Sequence, residues 1–553
     1  MPSRAVDYLV RAVADLGVRY IFGVDGANIE DLYDAIFASP CGVTGIVAKH
    51  EFSAATMADG YARSTAGLGV VAATSGGGAM NLVAGLAESF TSRVPVLALV
   101  GQAPTTMEGK GAFQDSSGLA GTFDAARLFE QISHYCARVH DAADLPDHLA
   151  RAVHATRRGG PAVLLLPKDV QQAPLAAVPF RPPQAESRFD TTGFARVRAE
   201  LRAARTRGKI TIIAGDQVAR DDARAELRRL AVAVEAAVGV APDAKDVYDH
   251  DEPGFCGVAG SMGHPELVDA VRGAALCLLV GTRLPVTART GLDDALAGPC
   301  LVSVGAERPY LDSVHATSTD LAATLGALAD ELVGAGTEFG STPRSVPTPL
   351  PVPASTGPGM RYRDIVEILN AALEPGTDVF ADAGNTGSAV VHHLRLPRDG
   401  RFVVALGMGG MGYAFGAGIG SCFARRRRPD GSVRRTFVIA GDGAFFMHGM
   451  EVHTAIEYAL PVTFVVFNNN AHAMCLTREQ LFYGDRYSFN RFHPAHPGAG
   501  VAAMFPELPA YSPTDTSELA VVVQRCIQST GPSFISIDCD PDEIPPFTPF
   551  LSA

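Results

Sequence analysis

Uninterrupted apolar runs recur along this chain, and they constrain its fold more than any other feature. Examples are VPVLALVG at 94–101, PAVLLLP at 161–167 and PVTFVVF at 461–467. Strands that are buried on both faces, as in parallel sheets covered by helices, lack polar alternation. The runs alternate with amphipathic, helix-like segments. This pattern predicts an α/β fold of open parallel sheets flanked by helices, with ligands at the carboxyl ends of the strands.

Two proline-rich stretches divide the chain. One covers 172–186 (QAPLAAVPFRPPQAE), and the other covers 334–359 and contains six prolines. Proline disfavours the interiors of helices and sheets and suits semi-rigid linkers. We therefore predict three domains, each with its own parallel sheet. Their predicted ranges are 1–172, 190–335 and 360–553.

Composition narrows the class of partner. The chain has 553 residues, is 47% hydrophobic and carries a formal net charge of −13, which argues against nucleic acid or an anionic membrane as the main partner. Its start lacks a signal-peptide core, and no apolar run is long enough to span a bilayer. The nine cysteines are scattered without CxxC spacing. We expect a cytoplasmic protein with reduced thiols and small-molecule ligands.

Two polar groups follow neighbouring predicted strands in the third domain. Asp442 lies within Gly441-Asp442-Gly443, and Asn469 is the second of three asparagines 27 positions further on. That spacing fits one β-α-β crossover, which would bring both groups to one sheet edge. Their oxygens suit Mg²⁺, and the glycines would let the backbone approach a diphosphate. Ordinary turns after strands are the alternative interpretation.

These motifs resemble those of thiamin diphosphate (ThDP)-dependent enzymes, in particular the acetolactate synthase branch. The resemblance implies that Asp442, Asn469 and the backbone carbonyl of Ala471 bind Mg²⁺. It also implies that the diphosphate meets backbone N–H groups of Gly384, Asn385 and Thr386, although DAGNT at 382–386 is also compatible with an Asx turn.

A second part of the resemblance lies far upstream. VAKHE at 47–51 and the residues up to Arg63 resemble the pyrimidine-binding signature of the same enzymes. By that resemblance Glu51 faces the aminopyrimidine ring, where a carboxylate favours the tautomer whose exocyclic nitrogen removes the thiazolium C2 proton. A helix N-terminal carboxylate is the alternative role.

The segment GMGGMGY at 407–413 resembles the part of acetolactate synthases that bends the cofactor. The resemblance implies that Met411 wedges between the two rings and that the Gly409 carbonyl accepts from the amino group. Met411 as a core-filling side chain is the alternative.

The substrate pocket is harder to predict from sequence. KGAFQ at 110–114 resembles a segment near the reaction centre in acetolactate synthases, with Asp115 in place of the usual Glu. The predicted pocket residues are Asp25, His50, Phe113, Gln114, His472 and Arg478. Of these, Gln114 and His472 join Glu51 as catalytic candidates, and Arg478 is a candidate carboxylate anchor. Structural roles, such as capping a helix, are the alternatives.

The resemblance covers nearly the whole chain in the order pyrimidine-binding, middle and diphosphate-binding domain. It implies decarboxylation of a pyruvate-like 2-oxo acid, with transfer of the acyl carbanion to an acceptor carbonyl. The first domain lacks the His-His pair of pyruvate decarboxylases, which disfavours simple aldehyde release. A non-ligating 2-oxo acid decarboxylase, a C–C lyase and a non-catalytic cofactor-binding paralogue remain alternatives.

The resemblance also bears on assembly and on a second cofactor. It implies a homodimer or homotetramer in which one subunit supplies Glu51 and its partner supplies Asp442 and Asn469. The middle domain contains GTRLP at 281–285, but the flanking residues do not match a flavin pattern. We expect ThDP and Mg²⁺ as cofactors and no FAD.

Overall fold

Three six-stranded parallel sheets organise the chain. The computed structural model describes residues 3–176, 179–181, 188–332, 346–424 and 434–551. Helices flank each sheet, so the predicted α/β architecture is confirmed. The predicted middle-domain end at 335 and parts of both proline-rich stretches lie outside the described residues, and the domain boundaries stay predictions.

The N-terminal sheet has the strand order β3-β2-β4-β5-β7-β6, and the short strands β1 and β8 pair antiparallel beside it. Its strands are β1 Ser3–Arg4, β2 Tyr20–Val24, β3 Thr44–Val47, β4 Gly69–Ala73, β5 Val96–Gln102, β6 Tyr135–Arg138, β7 Pro161–Pro167 and β8 Pro174–Leu175. Its helices are α1 Ala5–Asp15, α2 Glu30–Ala38, α3 Glu51–Thr65, α4 Gly77–Asn81, α5 Val83–Thr91, α6 Ala125–Glu130, α7 Leu145–Thr156 and α8 Lys168–Gln172. Strands β5 and β7 are buried along their whole length, as their apolar sequences predict.

The middle sheet has the order β11-β10-β9-β12-β13-β14. Its strands are β9 Lys209–Ala214, β10 Ala237–Val240, β11 Phe255–Val258, β12 Ala274–Val280, β13 Cys300–Gly305 and β14 Val314–Thr317. The helices around it are α9 Thr191–Arg207, α10 Gln217–Arg220, α11 Arg224–Ala233, α12 Pro265–Arg272, α13 Val286–Arg289, α14 Asp293–Leu296 and α15 Leu321–Leu332.

The C-terminal sheet has the order β16-β15-β17-β18-β20-β19. Its strands are β15 Asp378–Ala381, β16 Phe402–Val404, β17 Thr436–Gly441, β18 Val462–Asn468, β19 Ala510–Tyr511 and β20 Ser533–Asp538. Its helices are α16 Tyr362–Ala372, α17 Gly384–His393, α18 Tyr413–Ala424, α19 Asp442–His448, α20 Val452–Glu457, α21 Ala473–Tyr483, α22 Pro497–Met504, α23 Thr516–Gln528 and α24 Thr548–Leu551. Among the described helices, none is both long and apolar enough to cross a membrane.

Helices α3 and α18 join the outer two domains through a seam of small residues. A Cβ on Gly416 would lie 2.6 Å from the Ser53 carbonyl oxygen, and one on Gly420 would lie 2.7 Å from the Met57 carbonyl carbon. Only glycine permits this backbone approach. Because α3 starts at Glu51 and α18 starts two residues after Met411, the seam fixes where both predicted site segments begin.

Candidate active site

The carboxyl edge of the C-terminal sheet carries the predicted metal-binding groups. Strands β17 and β18 pair in parallel with Gly441 opposite Phe467, so Asp442 and Asn469 follow neighbouring strands at one edge. This confirms the crossover predicted from their spacing.

Asp442 is buried, and neither carboxylate oxygen makes a hydrogen bond of good geometry among the described residues, although the backbone N–H groups of Gly443, Asn470 and Ala471 lie near enough to lower its pKa. Burial raises the pKa of Asp442 to about 6. An unpaired buried carboxylate is costly unless a cation or a donor compensates it. The geometry therefore suits a bound cation.

Asn469 stands beside it with a defined amide orientation. Its Nδ2 donates to the Tyr362 hydroxyl (3.0 Å), and its Oδ1 accepts from the Ala471 N–H (3.1 Å). The Oδ1 keeps a second lone pair. The flanking asparagines have other tasks, since Asn468 donates to Asp538 (2.8 Å) and Asn470 accepts from the Ala495 N–H (2.7 Å).

The first turn of α17 lines the same edge. Gly384 has φ +88°, and nothing lies within 4 Å of where its Cβ would be. Asn385 is buried, and its Oδ1 has no partner in the described part of the chain. A Cβ on Gly441 would lie 3.5 Å from the Thr386 hydroxyl. Open space, backbone N–H groups and a helix N-terminus together form a cradle that suits an anion.

Met411 and His472 meet above Gly443. A Cβ on Gly443 would lie 3.1 Å from Met411 Cε and 2.8 Å from His472 Nδ1. That Nδ1 has no hydrogen-bond partner in the described ranges, and the ring packs edge-on against Phe492. The structure thus brings Met411 and His472 together next to Asp442.

Two buried carboxylates hold the loop that carries Gly409 and Met411. Glu88 accepts from the backbone N–H groups of Gly407 (3.2 Å) and Met408 (2.6 Å). Asp382 accepts from Gly412 N–H (2.9 Å) at the other end, and burial raises the pKa of Asp382 to about 6. Sequence reasoning gave Glu88 no role and considered Asp382 only as part of an Asx turn.

Glu51 lies at the carboxyl edge of the N-terminal sheet, as the first residue of α3. Its Oε2 accepts from Asn81 Nδ2 (2.9 Å), and its Oε1 is 3.0 Å from where a Cβ on Gly78 would be. The sequence analysis did not predict a site role for Asn81. Its position at the end of the glycine-rich loop after β4 is the signal that could have indicated one.

Thr74 connects Asp25 and Gln114 at the carboxyl edge of the N-terminal sheet. The Thr74 hydroxyl donates to Gln114 Oε1 (3.1 Å), and a Cβ on Gly26 would lie 2.8 Å from Thr74 Cβ. Asp25 accepts from the Gly26 N–H (2.7 Å), and burial raises its pKa. Phe113 is 74% exposed beside them.

Two predicted pocket residues have other contacts. His50 Nδ1 accepts from the Phe52 N–H (3.1 Å), which caps α3. Arg478 is exposed, and its guanidinium lies 6.0 Å from the centre of the Phe550 ring. The described contacts of Arg478 do not connect it to the edge that carries Asp442.

Three segments match domains of one family. Residues 3–120 match the thiamine pyrophosphate enzyme N-terminal TPP binding domain, 195–339 the central domain, and 382–537 the C-terminal TPP binding domain. The chain belongs to the thiamine pyrophosphate (ThDP) enzymes and is an enzyme of the branch that resembles acetolactate synthases.

Curated relatives extend over most of the chain. It is 27% identical to the probable acetolactate synthase large subunit of Methanocaldococcus jannaschii, over 99% of this chain and 93% of that protein. It is 27% identical to the acetolactate synthase isozyme 2 large subunit of Escherichia coli, over 87% and 86%. It is 28% identical to the sulfoacetaldehyde acetyltransferase of Castellaniella defragrans, over 88% and 84%.

Proposed function

We propose that this enzyme uses ThDP and Mg²⁺ to decarboxylate a pyruvate-like 2-oxo acid and to transfer the acyl group to an acceptor carbonyl. The observation that carries the proposal is Asp442, a buried carboxylate that makes no hydrogen bond of good geometry in the described structure, beside Asn469. The acetolactate synthase relatives support the carboligase reading.

The residues at the C-terminal edge fit the diphosphate end of the cofactor. Asp442, the Oδ1 of Asn469 and the carbonyl of Ala471 are oxygen ligands, which Mg²⁺ prefers. The first turn of α17, from Gly384 to Thr386, offers N–H groups to phosphate oxygens. The cation would balance the diphosphate charge without a basic patch. The bound cofactor supplies the electron sink for loss of CO₂.

The other residues orient groups and move protons. Glu51 lies at the carboxyl edge of the N-terminal sheet, where its carboxylate would hold a proton at a ring nitrogen. Met411 lies on the loop that Glu88 and Asp382 fix, with its Cε next to Gly443, a place from which it would set the angle of the two rings. His472 Nδ1, which has no hydrogen-bond partner in the described ranges, would form a hydrogen bond with a substrate oxygen.

We also propose that two subunits form each site. The described hydrogen bond of Glu51 stays within the N-terminal domain. Both edges carry exposed apolar side chains, namely Phe113 at 74%, Met408 at 58%, Phe446 at 51% and Phe489 at 90% exposure. A partner subunit in a homodimer or homotetramer would cover them.

In this proposal the middle domain does not bind FAD. Gln217 fills the carboxyl edge of its sheet, with Oε1 accepting from the Ala306 N–H (2.8 Å) and Nε2 donating to the Ser318 carbonyl (3.0 Å). A dinucleotide would need the space that this side chain occupies.

Product analysis tests the proposed function. The enzyme with ThDP and Mg²⁺ is offered pyruvate and other 2-oxo acids, alone and with carbonyl acceptors, and products are identified by mass spectrometry. We expect CO₂ and a ligated hydroxyketone, both lost in Glu51→Gln. Free aldehyde as the only product would favour the non-ligating decarboxylase. Cleavage of a C–C bond without CO₂ would favour the lyase.

A further inference from the structure

Helix α17 connects the cofactor cradle to the middle domain. Its ten residues span about 15 Å, with Gly384 at one end and His393 at the other. The first turn forms the cradle opposite Asp442. The last turn packs against Lys245 and Met262 of the middle domain.

Lys245 is the central contact at that far end. Its ammonium donates to the carbonyl oxygens of Val391 and Leu394, the latter at 2.7 Å. It also lies 5.5 Å from the centre of the Phe402 ring. The last carbonyls of a helix lack partners within the helix, and a cation there complements the helix dipole. Lys245 is 1% exposed, and burial lowers its pKa to about 7, so these acceptors offset only part of the cost of burying the charge.

Other contacts brace the same turn. His392 has Nδ1 3.0 Å from the Met262 carbonyl, while its Nε2 accepts from the Leu350 N–H (3.0 Å). This pairing makes Nδ1 the protonated nitrogen of a neutral imidazole. Asn370 donates to the His393 carbonyl (2.9 Å). The last turn of α17 is therefore contacted by the middle domain, by the 346–351 segment and by α16.

From this geometry we infer that Lys245 is a positioning residue for the cofactor. By fixing the C-terminal end of α17, the middle domain sets where Gly384–Thr386 stand relative to Asp442. The inference rests on the proposed function for its ligand, but the mechanical link is independent of it. It gives the middle domain a task that its sheet edge, filled by Gln217, does not provide.

The test compares Lys245→Met with the wild-type full chain. Hydrogen–deuterium exchange of the cofactor-free protein is expected to rise at least fivefold in peptides covering 384–393 and to stay unchanged in the β5 and β7 peptides. Calorimetric titration with ThDP and Mg²⁺ is expected to show about tenfold weaker binding. Calorimetry suits this chain because it has no tryptophan to report binding by fluorescence.

Asp251→Asn is the matched control. It removes a neighbouring ion pair between the same two domains, from Asp251 to Arg395 (2.5 Å), whose side chains are both exposed. We expect wild-type exchange in 384–393 and wild-type affinity. Lys245→Arg, which keeps the charge and the donors, should restore most of both.

Each outcome decides the inference. A folded Lys245→Met protein with wild-type exchange in 384–393 would overturn it, as would an equal rise in Asp251→Asn. If Lys245→Met does not fold, Lys245→Gln replaces it, with faster exchange expected in the same peptide and the same overturning result. A wild-type protein that fails to bind ThDP would sink the proposed function, while the exchange data would still decide the link.

Discussion

The middle and C-terminal sheets have the same architecture, but their carboxyl edges differ. Protein groups fill the edge of the middle sheet, and the edge of the C-terminal sheet is open. In the middle sheet, strand-end glycines close the edge: a Cβ on Gly281 would lie 2.9 Å from Gln217 Cβ, and one on Gly305 would lie 3.0 Å from Gln217 Oε1. In the C-terminal sheet, Gly384 faces open space, and the oxygens of Asp442 make no hydrogen bond of good geometry with the described groups.

The difference shows that glycine after a strand has two uses. It lets protein groups fill the edge, as Gln217 does, or it keeps the edge open for a ligand. The fold provides the edge, and the side chains that follow the strands decide whether a site exists there. Five substitutions can break or sharpen this contrast.

Asp442→Asn should have the largest effect. The amide is a weaker ligand for Mg²⁺, so we expect a loss of activity of at least about 1,000-fold, or about 4 kcal/mol. Because an uncompensated buried carboxylate is removed, the cofactor-free protein should unfold at the same or a higher temperature. Steady-state kinetics and calorimetry check both. Activity within tenfold of wild type would contradict the assignment of Asp442 as a ligand.

Glu51→Gln should follow. The amide can still accept from Asn81 but cannot hold a proton for the cofactor ring, so C2 proton exchange should slow about 100- to 1,000-fold. The Kd for ThDP should change less than threefold. Exchange is started in deuterated buffer, stopped by quenching and then measured by NMR. An unchanged exchange rate would point to a purely structural carboxylate.

Two alanine substitutions, Gly281→Ala and Gly384→Ala, distinguish the cost of backbone strain from the cost of a collision at the filled edge of the middle sheet. Gly281 (φ +62°) and Gly384 (φ +88°) both adopt a backbone conformation that disfavours alanine, at about 1–2 kcal/mol. Gly281→Ala also collides with Gln217, so we expect about 1–3 kcal/mol more loss in the free energy of unfolding. Urea titrations measure both. Equal losses would mean that the middle edge is not tightly closed.

Gln217→Ala should have the smallest effect. We expect it to lower stability without changing cofactor binding. It leaves the Ala306 N–H and Ser318 carbonyl without their partner, which costs about 1–3 kcal/mol of stability. The Kd for ThDP should stay within twofold of wild type. A large rise in that Kd would show that the middle edge belongs to the cofactor site.

The sequence predicts the fold and the C-terminal edge well for a physical reason. A crossover of known length between parallel strands leaves Asp442 and Asn469 few places other than one edge. Glu88 and Lys245 were beyond such reasoning, because their partners lie 319 and 146 positions away in sequence. Side-chain direction was also hidden: nothing local tells that Arg478 points outward or that His50 caps α3.

The seam between α3 and α18 has a consequence for how the two edges respond to each other. Each helix begins beside a different residue of the proposed site, Glu51 or Met411, and the glycine contacts leave no room for sliding. We therefore expect a shift at either end to displace the other helix as a rigid body. If neighbouring subunits complete each site, occupancy of one site alters the geometry of the next, and cofactor titrations should show cooperativity.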